Sequence, residues 1–117
     1  MNTEEIRDYC LAKKGVTEGF PFDDVTLVFK VMNKMFAILS LDGELRVSLK
    51  CDPERAVELR EKYPAIIPGY HLNKRLWNTI QMDGSISEKL LTEMINHSYD
   101  LIVDSLPKKI KEELANI

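Results

Sequence analysis

At 117 residues, 44% hydrophobic and 30% charged, the chain has the size and balance of one domain that closes its core without metal or disulfide. A net charge of −3 excludes nucleic-acid binding through overall charge, and no apolar run nears the roughly 18 residues of a membrane span. Cys10 and Cys51 form no CxxC pair and read as two reduced thiols, as expected of a cytoplasmic protein.

The acidic, helix-like start MNTEEIRDYC argues against a secretory or organelle-targeting peptide. Asn2 or Thr3 can cap a first helix, with Glu4 and Glu5 at its positive end. Ile6, Tyr9, Cys10 and Lys13 follow at helical spacing, and Gly15 stops it. Val16 to Asp24 reads as a loop carrying the aromatics of Gly19-Phe20-Pro21-Phe22. Three strands follow. Val25 to Val31 and Lys34 to Leu41 are rich in β-branched and aromatic residues, and Met32-Asn33 turns between them. Asp42-Gly43 predicts a type I′ hairpin turn, because both residues tolerate positive φ. In the third strand Leu45, Val47 and Leu49 alternate with Arg46, Ser48 and Lys50, which sends the first set to the core and the second to solvent.

Asp52 as N-cap and Pro53 in the first turn start a helix running to about Lys62, with Ala56, Leu59 and Tyr63 inward. Pro64, Pro68 and Gly69 then bound an irregular loop. Tyr70 to Leu72 and Leu76 to Met82 read as two further strands joined through Asn73-Lys74-Arg75. Asp83-Gly84 turns the chain, and Ser85 with Glu88 forms a capping box for the longest helix. Leu91, Met94, Ile95, Ser98 and Ile102 mark its inward face. Pro107 ends that helix or starts a short final one. The order predicts an α+β fold over residues 1–117: a single two-layer domain, a mostly antiparallel sheet of five or six strands with helices packed on it, and one sheet face partly open.

Catalytic patterns are missing. There is no GxSxG, no GxxxxGK[ST], no GxGxxG and no paired metal-ligand spacing among His71, His97 and the two cysteines. The chain is therefore expected not to be an enzyme and to need no cofactor. Charge is unevenly spread. Val28 to Gln81 carries nine basic and six acidic side chains, while each flank has three more acidic than basic. Arg46 and Lys50 share a strand face by parity, and Lys30 can join them from a neighbouring strand. Lys74 and Arg75 stand in a turn with Tyr70, His71, Asn73, Trp77 and Asn78 around them. Cations, amides and aromatics at a hairpin tip suit phosphate contacts with some base-edge or stacking contact.

The segments PFDDVTLVFKVMNKMFA, VSLKCDPERAVELREKYPAIIPGYHLNKRLWNTI and SYDLIVDSLPKK resemble the MmcQ/YjbR family of small bacterial proteins over nearly the whole chain. The most specific parts are Lys50-Cys51-Asp52-Pro53, Pro68 to Lys74, and Trp77-Asn78-Thr79. The chain departs at Asp23, where members often have glycine, and at Leu76, where they often have histidine. The resemblance implies a double-wing α/β fold and a predicted DNA-binding role. Its motifs fall on Lys50, His71, Asn73, Lys74, Trp77 and Asn78, and on Lys108 and Lys109.

The expected function is DNA binding by a monomer through a sheet face and hairpin wings. Arg46, Lys50, Lys74 and Arg75 would meet phosphates, Asn73, Asn78 or Tyr70 would lie near groove edges, and His71 would stand beside them. The alternative is a protein-interaction or regulatory adaptor anchored by Phe20-Pro21-Phe22 and the Ile66-Ile67-Pro68 loop. A third possibility is a small-molecule or enzymatic site, which would need a concave pocket holding His71 with Cys51 or a carboxylate.

Overall fold

The computed structural model describes Met1–Ile117, in the order α1 (Thr3–Leu11), β1 (Val16–Gly19), β2 (Thr26–Val31), β3 (Lys34–Ser40), β4 (Arg46–Lys50), α2 (Pro53–Lys62), β5 (Ile66–Pro68), β6 (Trp77–Gln81), α3 (Glu88–Ser105) and α4 (Lys108–Ala115). The strands form one sheet in the order β1-β2-β3-β4-β6-β5, and every pairing is antiparallel. Period-two alternation decides which side chains face the helices. Leu27, Phe29 and Val31 on β2, Leu39 on β3, Val47 and Leu49 on β4, and Ile80 on β6 are all buried in one cluster with Ile6, Leu91, Ile95 and Ile102 of the helices. Burying each such side chain contributes about 1.5–3 kcal/mol.

The helix ends follow their caps. Asn2 accepts from the Glu5 N–H while Glu5 bonds back to the Asn2 N–H, and Asp52 accepts from the Glu54 and Arg55 N–H groups with Pro53 behind it. For α3 the cap is Ser87, which accepts from the Leu90 N–H, whereas Ser85 bonds to Asp83. The expected Ser85–Glu88 box is thus displaced by two residues, because the Asp83 carboxylate captures Ser85 in the preceding turn.

Four other expectations need correction. Val16–Gly19 is an edge strand, not a loop: it pairs with Gly-free β2 from Val16↔Val31 to Gly19↔Val28. The type I′ turn lies at Met32-Asn33, where φ is 48° and 69°, rather than at Asp42-Gly43, where only Gly43 has a positive φ. Ile66–Pro68 is the fifth strand, and Tyr70 to Leu72 is a turn. The outer face of the sheet is also less open than expected, since Val28, Ile38, Ser48 and Thr79 on it are all buried.

A bulge in β3 falls between the Phe29↔Ala37 and Lys30↔Met35 pairs, leaving Phe36 without a partner on β2. Ser98 of α3 meets the irregularity: its hydroxyl donates to the Phe36 carbonyl at 2.5 Å and accepts from the Lys50 N–H at 2.9 Å. One helix side chain therefore extends the bonding of β3 to β4 past Ala37↔Leu49, where the ladder ends.

Candidate functional site

Register places the cations of the middle segment. Arg46 and Lys50 stand on the outer face of β4, four residues or about 13 Å apart. Lys30 emerges on the same face of β2, level with Lys50 and two strands away, roughly 10 Å at the usual strand spacing. The loop 69–76 returns to the same end, because the Cys51 N–H donates to the Leu76 carbonyl and Lys50 pairs with Trp77. Arg75 is exposed there. The sole ion pair of the protein joins Arg7 and Glu18, at 2.8 Å. Lys30, Arg46, Lys50 and Arg75 thus have no carboxylate within 4.0 Å.

The loop itself is tightly built. Gly69 donates to the Trp77 carbonyl, and a Cβ at Gly69 would lie 2.8 Å from Trp77 Cβ, so only glycine allows this approach. Asn73 accepts from the N–H groups of Arg75 and Leu76 through its side-chain oxygen, and Arg60 donates to the Lys74 carbonyl at 2.7 Å. Lys74, although exposed, is tethered to the loop, its ammonium donating to the Gly69 carbonyl at 2.9 Å. Thr79 Oγ1 shares a hydrogen bond with Ser48 and accepts from the Tyr70 N–H, which ties the start of the loop to the middle of the sheet. His71 takes a left-handed conformation, φ 58°, with its ring 4.1 Å from that of Tyr70.

Of the residues expected to contact DNA, Arg46, Lys50, His71 and Arg75 present their side chains to the outer surface or the loop. Asn73 is exposed, but its oxygen is occupied, and Lys74 serves the loop. Asn78 is a correction. It pairs with Leu49 on the core side, is 2% exposed, and donates to the Ala56 carbonyl of α2. It cannot reach a groove edge. Trp77 takes the outer phase instead, half-buried opposite Lys50.

A cleft of about 480 Å³ opens over the other end of the outer face. Ile38, Ser40 and Ser48 line its floor, Phe22 and Asp23 one side, and Tyr70, His71 and Leu72 another. The Arg46 guanidinium lies 4.8 Å from the centre of the Tyr70 ring, and Asp42 completes the rim. Asp23 caps its own loop by accepting from the Val25 N–H and the Thr26 hydroxyl, bonds that hold its carboxyl below the usual carboxylate range. Phe22 and Asp42 were not among the expected site residues. Their sequence signals pointed to a partner anchor and a turn, and only the fold brings them beside Arg46.

The remaining reactive side chains lie elsewhere. Burial pushes the Cys10 thiol up to about 12 and raises that of Cys51, so neither is an activated nucleophile. Cys51 lies on the helix side of the sheet with His97, remote from His71. His97 accepts from the Asp52 N–H at 3.2 Å, and burial, followed by the Arg55 charge, lowers its pKa. No three His, Cys, Asp or Glu side chains cluster to hold a metal ion. The expected adaptor anchor is divided, because Phe20 and Phe22 are exposed while Ile66 is 2% exposed in the core.

The YjbR family model matches residues 11–101. The chain is 31% identical to the uncharacterized protein YjbR of Escherichia coli K12 over 118 aligned positions, with both chains covered completely. It is 41% identical to the uncharacterized protein YbdF of Escherichia coli O157:H7 over 91 residues, covering 77% of this chain and 75% of that one. A Deinococcus radiodurans crystal structure with the family domain DUF419 superposes with a TM-score of 0.92 at 41% identity, covering 97% of this chain and 88% of that one. A Pseudomonas syringae protein gives a TM-score of 0.76 at 28% identity, over 86% of this chain and 98% of that one. Sequence, length and fold agree, and the chain belongs to the YjbR family.

Proposed function

We propose that this chain binds DNA, with Lys30, Lys50 and Arg75 meeting phosphates at one end of the outer sheet face and Arg46 at the other. One observation carries the reading: Lys30, Arg46 and Lys50 lie on one face of the sheet with no carboxylate within 4.0 Å, and Arg75 is exposed in the loop that returns to the Lys50 end. Binding follows the local field more than the total charge, so an overall −3 is compatible with an anion-binding face. Lys74 adds charge to the same loop while holding Gly69.

The test is fluorescence anisotropy of a labelled DNA duplex titrated at several salt concentrations. Affinity should fall with salt on a log–log slope of about 0.9 per phosphate contacted. Arg75→Ala should lower that slope by roughly one unit and leave the melting temperature unchanged. Affinity that is flat with salt would reject the proposal. A second reading is a small-molecule site in the cleft, favoured by His71 standing there with Asp23 and Asp42.

A further inference from the structure

The cleft and the cationic end of the sheet differ in chemistry. Arg46 shares the lining of the cleft with Asp23 and Asp42, so the cleft itself has no excess of positive charge, unlike the end that carries Lys30 and Lys50. Its walls include two of the most exposed large apolar side chains of the protein, Phe22 at 66% and Tyr70 at 50%. The Asp42 carboxylate makes no hydrogen bond within the protein and is open to an N–H donor; that of Asp23 is engaged by its own loop. A volume of about 480 Å³ lies within the range of small-ligand pockets, roughly 300–1,000 Å³, and is ample for a planar heterocycle.

We infer that the cleft takes an unpaired nucleobase carrying an exocyclic amino group, so that the chain binds single-stranded DNA in preference to duplex. This rests on the DNA-binding reading and extends it. The base face lies against Phe22, with Tyr70, itself packed by Arg46 and His71, forming the opposite wall; its amino group donates to Asp42, and the flanking phosphates run toward Lys50, Lys30 and Arg75. In a duplex the base faces are stacked and the pairing edges occupied, and exposing them costs a few kcal/mol. Aromatic platforms next to a cationic track are the usual arrangement for single strands.

The experiment compares labelled oligo(dC), oligo(dT) and a duplex of about 12 nucleotides, within the usual span of single-strand sites. Wild type, Phe22→Ala and Asp42→Ala are measured, with folding checked by thermal melts; both side chains are exposed. Oligo(dC) should bind about tenfold more tightly than oligo(dT), which has no exocyclic amino group. Asp42→Ala should abolish that difference. Phe22→Ala should weaken oligo(dC) by about fivefold to a hundredfold and leave duplex binding unchanged. Duplex binding as tight as single-strand binding, or Phe22→Ala without effect on oligo(dC), overturns the inference and leaves the DNA reading standing. No binding of any strand or duplex at low salt overturns both. Binding of free dCMP without binding of any strand also overturns both, and makes the cleft a mononucleotide site.

Discussion

Replacing Ser98 by alanine should destabilise the fold far more than removing one oxygen suggests. The side chain is fully buried and its hydroxyl serves two backbone groups, the Phe36 carbonyl and the Lys50 N–H. Neither has an alternative across the ladder, since the bulge removes Phe36 from register and β3–β4 pairing ends at Ala37↔Leu49. Each buried group left without a partner costs about 1–3 kcal/mol, so Ser98→Ala should lose about 2–4 kcal/mol in all. For a domain of this size that corresponds to a fall in Tm of roughly 8–16 °C. Urea denaturation followed by circular dichroism measures it, with an unchanged m-value showing that the loss is in stability. Thr92→Ala on the same helix, where the hydroxyl bonds only the Lys89 carbonyl near the surface, should change stability by less than about 0.5 kcal/mol. A Ser98→Ala loss below about 1 kcal/mol would refute the claim that this hydroxyl completes the sheet.

Gly69→Ala puts a Cβ 2.8 Å from Trp77 Cβ and 3.0 Å from the Trp77 carbonyl oxygen, so it should cost about 1–3 kcal/mol in urea unfolding and weaken DNA binding by moving the loop. The folded-state pKa of His97 is depressed by burial, and its neutral Nε2 accepts from Asp52, so its contribution to stability is fully present above the ordinary value of 6.5. That contribution should be lost as pH falls from 6.5 through the lowered pKa, and His97→Gln should remove this part of the stability–pH curve; an unchanged curve would count against the assignment. Cys10 and Cys51 are 0% and 5% exposed, with thiol pKa values raised by burial, so a thiol reagent at neutral pH should label neither until the protein unfolds.

Where alternation was strong, the fold was legible. Leu45 to Lys50 alternate between the two faces and the inward stripe Leu91, Met94, Ile95, Ser98 and Ile102 stands as the periods predict, because burial on one face leaves each element a single orientation, although Ser48, expected at solvent, is buried on the outer face. The edges were not legible. Val16–Gly19 is only four residues long, and Ile66–Pro68 is only three and bracketed by prolines, which an edge strand tolerates and an inner strand does not. Strand β6 shows how little separates the two faces. Its extent was close to that expected, yet placing Asn78 outward was one residue out of phase, and such a slip exchanges the faces. The cleft was hidden for another reason: Phe22, Asp42, Arg46 and Tyr70 come from four stretches of chain whose adjacency follows from sheet order and from no local pattern.

Sequence proximity also joined two cations that the structure separates by role. Lys74 and Arg75 are neighbours in one turn, and charge alone makes them equivalent. The Lys74 ammonium, however, satisfies the Gly69 carbonyl, while the Lys74 carbonyl accepts from Arg60. Its loss would release the close Gly69–Trp77 crossing and, through Tyr70, the wall of the cleft. Arg75 holds nothing in the protein through its side chain and is exposed. A Lys74→Glu/Arg75→Glu double substitution would therefore mix loss of a phosphate contact with a collapsed loop, and weakened binding by it would not locate the interface. Arg75→Ala alone isolates the electrostatic contribution: it should reduce the salt slope while single-strand preference, set in the cleft, persists. If Arg75→Ala instead erased the oligo(dC) over oligo(dT) difference and left the slope intact, the division of the face into a cationic track and a base-holding cleft would be wrong.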